Sequence, residues 1–217
     1  MKQKIIYRPQ IYLFYHLLQR NDLVRDGEKS ILDCGAGGRQ PPLGFFYEQG
    51  FTTHGIEISA EQLARAAAFQ EKHKMPLNIQ SGDMRAIPYP DGFFDFVYEL
   101  YAMVHLSKSD IRQTMGEMRR VLKPGGVCFL SFMLNEKGFS RYGASASGEV
   151  ALKEGEHKVN HSIYKEEEAF DACRGWEWLH TEKQYFMDTS KMRERGEEVS
   201  AANPTWEFGH VFFILRK

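Results

Sequence analysis

The stretch Ile31–Gln40, "ILDCGAGGRQ", constrains the chain more than any other. An apolar run of strand length ends in an acid, Asp33, and Gly35, Gly37 and Gly38 follow at once. A buried strand that empties into a glycine turn and then a helix opens a parallel sheet, because parallel neighbours need a crossover between them. The next hundred residues keep that rhythm. "FTTHGIEI", "PLNIQSGD", "FFDFVYEL" and "VCFLSF" read as strands, and "PPLGFFYEQG", "SAEQLARAAAFQEKHK" and "SKSDIRQTMGEMRRVL" as helices. Pro41 and Pro42 set one helix start and Gly50 its end, while Ser59–Gln62 and Ser107–Asp110 stand at capping spacing. "KPGG" turns the chain into the fifth strand. Ahead of all this, residues 5–24 place Tyr7, Ile11, Phe14 and Leu18 at helical spacing, with Pro9 suited to a first turn.

Beyond Phe132 the pattern changes. "MLNEKGFSRYGASASGEVALKEGEHKVNH" is polar and rich in glycine and serine, an excursion from the sheet rather than a second domain. "YKEEEAFDACRG" then reads as a helix ending at Gly175, and "EWLHTEKQYFM" and "EFGHVFFILRK" as two late strands.

Composition removes several classes. With 28 basic and 29 acidic residues the formal net charge is −1, which offers no electrostatic footprint for nucleic acid or an anionic membrane. Cys34, Cys128 and Cys173 are odd in number and widely spaced, so neither a disulfide framework nor a paired-cysteine metal site is expected. Reduced thiols suit a cytoplasmic protein. The first apolar stretch is broken by Arg8, Gln10 and His16, which predicts no signal peptide or membrane span.

Two cofactor chemistries compete for the glycine turn. A dinucleotide site wants G-x-G-x-x-G with a pyrophosphate at the helix start; here the third position is Gln40. Asp33 would also repel a phosphate. A phosphate-free ligand with a cationic end removes the conflict. S-adenosylmethionine, with its ammonium, sulfonium and adenosine, is such a ligand, and bare glycine backbone lets it lie close.

In these segments the chain resembles the class I S-adenosylmethionine-dependent methyltransferases, and most closely the small-molecule branch that includes quinone-biosynthesis enzymes. "ILDCGAGGRQ" is similar to the family's first motif, "THGIEIS" to its second-strand ending, "SGDMRAIPYPDGFFDFVYELYAMVHL" to its adenine-contacting region and "VLKPGG" to the turn before strand five. The resemblance implies an α/β, Rossmann-like, doubly wound, mostly parallel seven-stranded sheet with a terminal antiparallel strand and helices on both faces. It implies one domain over 1–217: a helical cap at 1–29, a cofactor half at 30–132, a substrate-side excursion at 133–163, and completing helix and strands at 164–217. Cofactor contacts are implied at Asp33, Gly35, Ala36, Gly37, Glu57, Ile58, Asp83, Met84, Glu99 and Leu100. Of these, Glu57 would hold the ribose hydroxyls and Asp83 with Met84 the adenine. Glu99 either adds charge to the pocket or points elsewhere. Trp176 stands where the family usually has phenylalanine.

Methyl transfer needs a nucleophile held in line, and a base only where the acceptor is protonated. His105, just past the fourth strand, is the candidate base. Tyr7, Tyr101, Arg141, Tyr142 and His161 are candidates for the acceptor pocket, and one of Tyr98 and Tyr101 faces the core. His157 and His161 are four apart, but that segment reads extended and no third ligand is spaced to help, so no metal is expected. The expected activity is methyl transfer to a small molecule, yielding S-adenosylhomocysteine. The alternatives are a non-catalytic S-adenosylmethionine-binding module and an NAD(P)-dependent oxidoreductase. Neither the acceptor nor the oligomeric state is legible.

Overall fold

The computed structural model describes residues 5–24, 29–134, 147–154, 157–186 and 208–217. Helix α1 (Pro9–Arg20) has proline at its first position and buries Ile11, Phe14, Leu17 and Leu18 along one side. It begins two residues after Tyr7, because a residue preceding proline is held extended, and Arg8 has φ −63° and ψ 143°. Strand β1 (Ser30–Cys34) leads through the glycine turn to α2 (Leu43–Glu48), and β2 (Thr52–Glu57) to α3 (Ala60–His73). The Ser59 hydroxyl accepts the Gln62 amide, so the capping spacing works as expected.

Strand β3 (Ile79–Ser81) is short, and β4 (Phe94–Tyr98) passes through a one-turn 3-10 helix (Met103–His105) into α4 (Lys108–Val121). The Ser107 hydroxyl caps α4 by accepting the Asp110 amide. Strand β5 spans Leu122–Leu134, and "KPGG" lies inside it as an irregularity rather than before it. The register with β4 jumps from Phe94↔Leu122 to Phe96↔Val127, and Gly125 at φ +75° takes up the slack. A hairpin of β6 (Glu149–Glu154) and β7 (His157–Tyr164), then α5 (Glu166–Ala172), β8 (Glu177–Phe186) and β9 (Phe208–Arg216) complete the described elements.

The seven strands read from the sequence form one sheet in the order β3-β2-β1-β4-β5-β9-β8, parallel except for β9, which runs antiparallel to both neighbours. The excursion contributes the remaining two strands. Met133 and Leu134 of β5 run beyond the end of β4, and Ile163 and Tyr164 of β7 pair with them there. The hairpin therefore stands over the carboxyl end of β4, where α/β sheets bind ligands. Apolar side chains fill both faces. Ile111, Met115 and Met118 of α4 cover one side, joined by Trp176; Phe14, Leu18, Phe46 and Phe69 from α1, α2 and α3 cover the other. Among the described residues no helix is long and apolar enough to cross a membrane.

Candidate functional site

The glycine turn is pinned to the end of β2: the Gly35 and Ala36 amides both donate to the Ile56 carbonyl, at 2.9 and 3.0 Å. Gly35 has φ +104°, and a Cβ there would stand 2.5 Å from the Ala102 Cβ. At Gly37 a Cβ would meet the Glu57 carboxylate oxygen at 2.6 Å. Both positions exclude any side chain, which leaves an open cradle of backbone. The Ala36 methyl faces the core, since Ala36 is buried and its Cβ lies where Gly55 leaves room. Glu57 closes the cradle from the side. Its Oε2 accepts the Gly37 amide at 3.2 Å and its Oε1 the Ser59 amide at 2.8 Å. Ile58, 67% exposed, projects beside it.

Asp33 lies at the base of the cradle and is buried. The Tyr98 hydroxyl donates to its Oδ2 at 2.7 Å. Burial pushes the Asp33 carboxyl up to about 8; the Tyr98 hydrogen bond pulls it down, and the neighbouring Glu99 and Glu57 push it up. Such an acid is short of a cation. Tyr98 is the fully buried tyrosine, and Tyr101, at φ +63°, is half-buried against the same core cluster.

The remaining implied positions divide. Met84 is part-buried, with its methyl 3.8 Å from the space a Gly35 Cβ would take, and Leu100 packs on the α1–α2 side of the core. Asp83 is engaged by Arg85 on both carboxylate oxygens, with the shortest contact at 2.7 Å, and that hydrogen bonding holds its pKa below the usual range. Glu99 resolves toward structure. Its Oε2 accepts the Ala102 and Met103 amides at 3.1 and 3.0 Å, and its Oε1 accepts the Ser131 amide and hydroxyl at 2.6 and 3.0 Å. Four donors saturate this buried carboxylate, which ties the end of β4 to the one-turn helix and to β5.

On the acceptor side, His105 is exposed and meets the His161 ring edge-on at 4.8 Å. Tyr101 stacks edge-on against His210 at 4.8 Å, and the Arg8 guanidinium lies 4.9 Å over its ring. Tyr7 lies deep in the core, edge-on to Phe45, with its hydroxyl against Gly44. Arg141 and Tyr142 fall outside the described residues. Sequence reasoning missed Arg8 and His210. The signal for His210 was a lone imidazole inside the apolar run "HVFFIL", two residues from Phe212, on the side of β9 that packs toward α1. Among the described residues no trio of His, Cys, Asp or Glu is arranged to hold a metal ion.

The cradle tests the implied cofactor directly. Two glycines that no other residue could replace, a buried acid in need of a cation and a carboxylate beside them fit the amino-acid end and hydroxyls of S-adenosylmethionine. The same acids oppose a pyrophosphate.

Comparison with known proteins agrees. Residues 32–130 match the family model described as "Methyltransferase domain". Sterol 24-C-methyltransferase ERG6B of Gibberella zeae is 35% identical over 114 residues, 52% of this chain and 29% of that one. Methyltransferase GfsG of Streptomyces halstedii is 35% identical over 112 residues, covering 51% of this chain and 39% of its own. The matched region thus spans well under half the length of these relatives. A crystal structure of a SAM-dependent methyltransferase from Methanosarcina mazei superposes with a TM-score of 0.69 at 18% identity, over 98% of this chain and 99% of that one, a likeness of fold. Over residues 32–130 the chain is thus similar to methyltransferase domains, and its α/β fold is like that of the solved SAM-dependent methyltransferase.

Proposed function

We propose that the chain, as one domain over 1–217, transfers a methyl group from S-adenosylmethionine to a small-molecule acceptor and releases S-adenosylhomocysteine. The observation that carries this reading is the buried Asp33 carboxyl at the base of the Gly35–Gly37 cradle, held by Tyr98 and with no cation against it among the described residues. When bound, the cofactor supplies an electrophilic methyl: the acceptor's lone pair forms the new bond to carbon as the carbon–sulfur bond breaks toward sulfur. The chain's own residues bind and orient. Asp33 would hold the ammonium, Glu57 the ribose hydroxyls, and Asp83 with Met84 the adenine, with Ile58 beside them. The hairpin β6–β7 and the start of α1 form the walls over the acceptor.

The same reading takes the partner to be a small molecule rather than nucleic acid, in line with the net charge of −1. A cytoplasmic setting is supported by the free, buried Cys34, Cys128 and Cys173. Calorimetric titration with S-adenosylmethionine, S-adenosylhomocysteine and NAD(H) tests it. Binding of both sulfur compounds and neither nicotinamide is expected. Nicotinamide binding alone would move the protein to the oxidoreductases, and cofactor binding with no acceptor ever methylated would leave a binding module.

A further inference from the structure

Two helices end close together at the amino ends of β1 and β2, the edge of the sheet opposite the glycine cradle. Helix α1 closes with the Leu23 amide donating to the Leu18 carbonyl at 2.9 Å and Asp22 at φ +60°. Helix α2 closes in the same way: the Phe51 amide donates to the Phe46 carbonyl at 3.1 Å, and Gly50 has φ +84°. In such an end one left-handed residue turns the chain, and the last carbonyls are taken by the amides that follow. The two strands are tied there as well, since the Lys29 carbonyl accepts the Thr52 amide at 2.9 Å.

Between these ends lies a cavity of about 340 Å³. That volume lies within the usual range of small-molecule sites, about 300–1,000 Å³. Phe51 is its buried member, and Tyr15 stands edge-on to Phe51 and to Phe45, with ring centroids 6.1 and 5.3 Å away. Val24 adds an aliphatic surface, Gln19 lines the cavity from α1 and Gln49 from the end of α2. The fold uses none of the polar side-chain ends. Among the described residues the half-buried Lys29 ammonium has no ion pair or hydrogen bond, and neither the Tyr15 hydroxyl nor the Gln19 and Gln49 carboxamides have a protein partner. Nor does a carboxylate line the cavity among the described residues. Helix carbonyls would oppose an anion, but here the closing amides already occupy them. One unpaired cation among neutral donors and apolar rings attracts an anion with a flat body.

We propose that this cavity is a second binding site, separate from the cofactor cleft, for a small aromatic carboxylate. Lys29 pairs with the carboxylate, Gln19 and Gln49 donate amide hydrogens to its oxygens, and the ring lies against Tyr15, Phe51 and Val24. The five residues of β1 separate the site from the cradle by roughly 17 Å, so its occupant is not the methyl acceptor. The inference therefore stands apart from the methyltransferase reading.

The probes are 2-naphthoate, its neutral counterpart 2-naphthylmethanol, and inorganic phosphate, added to the full chain and followed by amide NMR. With 2-naphthoate the Gly50 and Phe51 signals should move saturably, while those of Gly35 and Gly37 stay in place. The neutral alcohol should bind about tenfold more weakly, and phosphate should not displace 2-naphthoate. Lys29→Met should lose that tenfold preference and Lys29→Arg should keep it. Val24→Trp, which fills the cavity and spares Lys29, should abolish the shifts at Gly50 and Phe51. Each of four results would overturn the proposal: unmoved Gly50 and Phe51 signals in wild type, movement at Gly35 and Gly37 instead, equal affinity for the acid and the alcohol, or 2-naphthoate binding unchanged in Lys29→Met. Displacement by phosphate would reduce the site to a bare cation and overturn it too.

Discussion

The two sides of the cleft, divided by the end of β4, hold their polar groups in opposite ways. On the β1–β2 side the groups are acids held by hydrogen bonds: Glu57 spans two backbone amides, and the Tyr98 hydroxyl donates to Asp33. On the β5–β9 side they are positive or neutral, and they touch through ring faces and edges rather than a backbone network. A cationic cofactor would complement the acidic half. The contrast also separates what must be constant from what can vary. Backbone geometry fixes the first side, since only glycine fits at 35 and 37. Side-chain choice alone sets the second.

The boundary is Glu99, and the largest effect is expected there. Glu99→Ala leaves four donors, three of them buried, at the junction of β4, β5 and the one-turn helix without their acceptor, and should cost about 3 kcal/mol in denaturant unfolding. The folded fraction should keep its S-adenosylhomocysteine affinity. A stable variant with lost affinity would instead move Glu99 to the cofactor side and erase the boundary.

Next comes Asp33→Asn, which keeps shape and removes charge. Loss of a buried charged partner predicts about 100-fold weaker cofactor binding, read by calorimetry, with the fold retained by circular dichroism. Undiminished affinity would mean that the acid serves packing alone and that the two sides do not differ in purpose.

How much of this was legible before the structure follows the same division. The cradle was readable because its constraints are local: an acid two residues before a glycine, and a second acid one crossover later, carry their meaning in spacing alone. The sheet was readable for the same reason, through periodicity and caps. Glu99 was only half readable, because its four donors come from residues up to 32 positions away. The acceptor side was harder still. Arg8, Tyr101, His161 and His210 come from four segments that only the crossed order of β5, β7 and β9 brings together, and no spacing records that. Tyr7, which its helical spacing left open to either the core or the acceptor pocket, packs against Phe45 and Gly44 of α2.

The smallest effect is the most diagnostic of the charge contrast, because it needs no change in shape. In the free protein the Asp33 carboxyl is raised from 3.8 to about 8, chiefly by burial. Between those values the folded chain holds a proton that the unfolded chain has released, so the stability of ligand-free protein should fall as pH rises from about 4 to about 8 and then level off. Cofactor binding should run the other way. An ammonium beside Asp33 favours the carboxylate, so affinity should climb with pH and reach its plateau near 8, where the free protein has already lost the proton. Calorimetry at neutral pH in two buffers of different ionisation enthalpy should accordingly register the release of about one proton per ligand bound. Tyr98→Phe removes the one hydrogen bond that holds Asp33 down, so it should lift the plateau further and weaken binding at neutral pH about tenfold. A pH-independent affinity, identical in wild type and Tyr98→Phe, would mean that Asp33 is ionised before the ligand arrives. The negative half of the cleft would then be preformed rather than completed by the ligand.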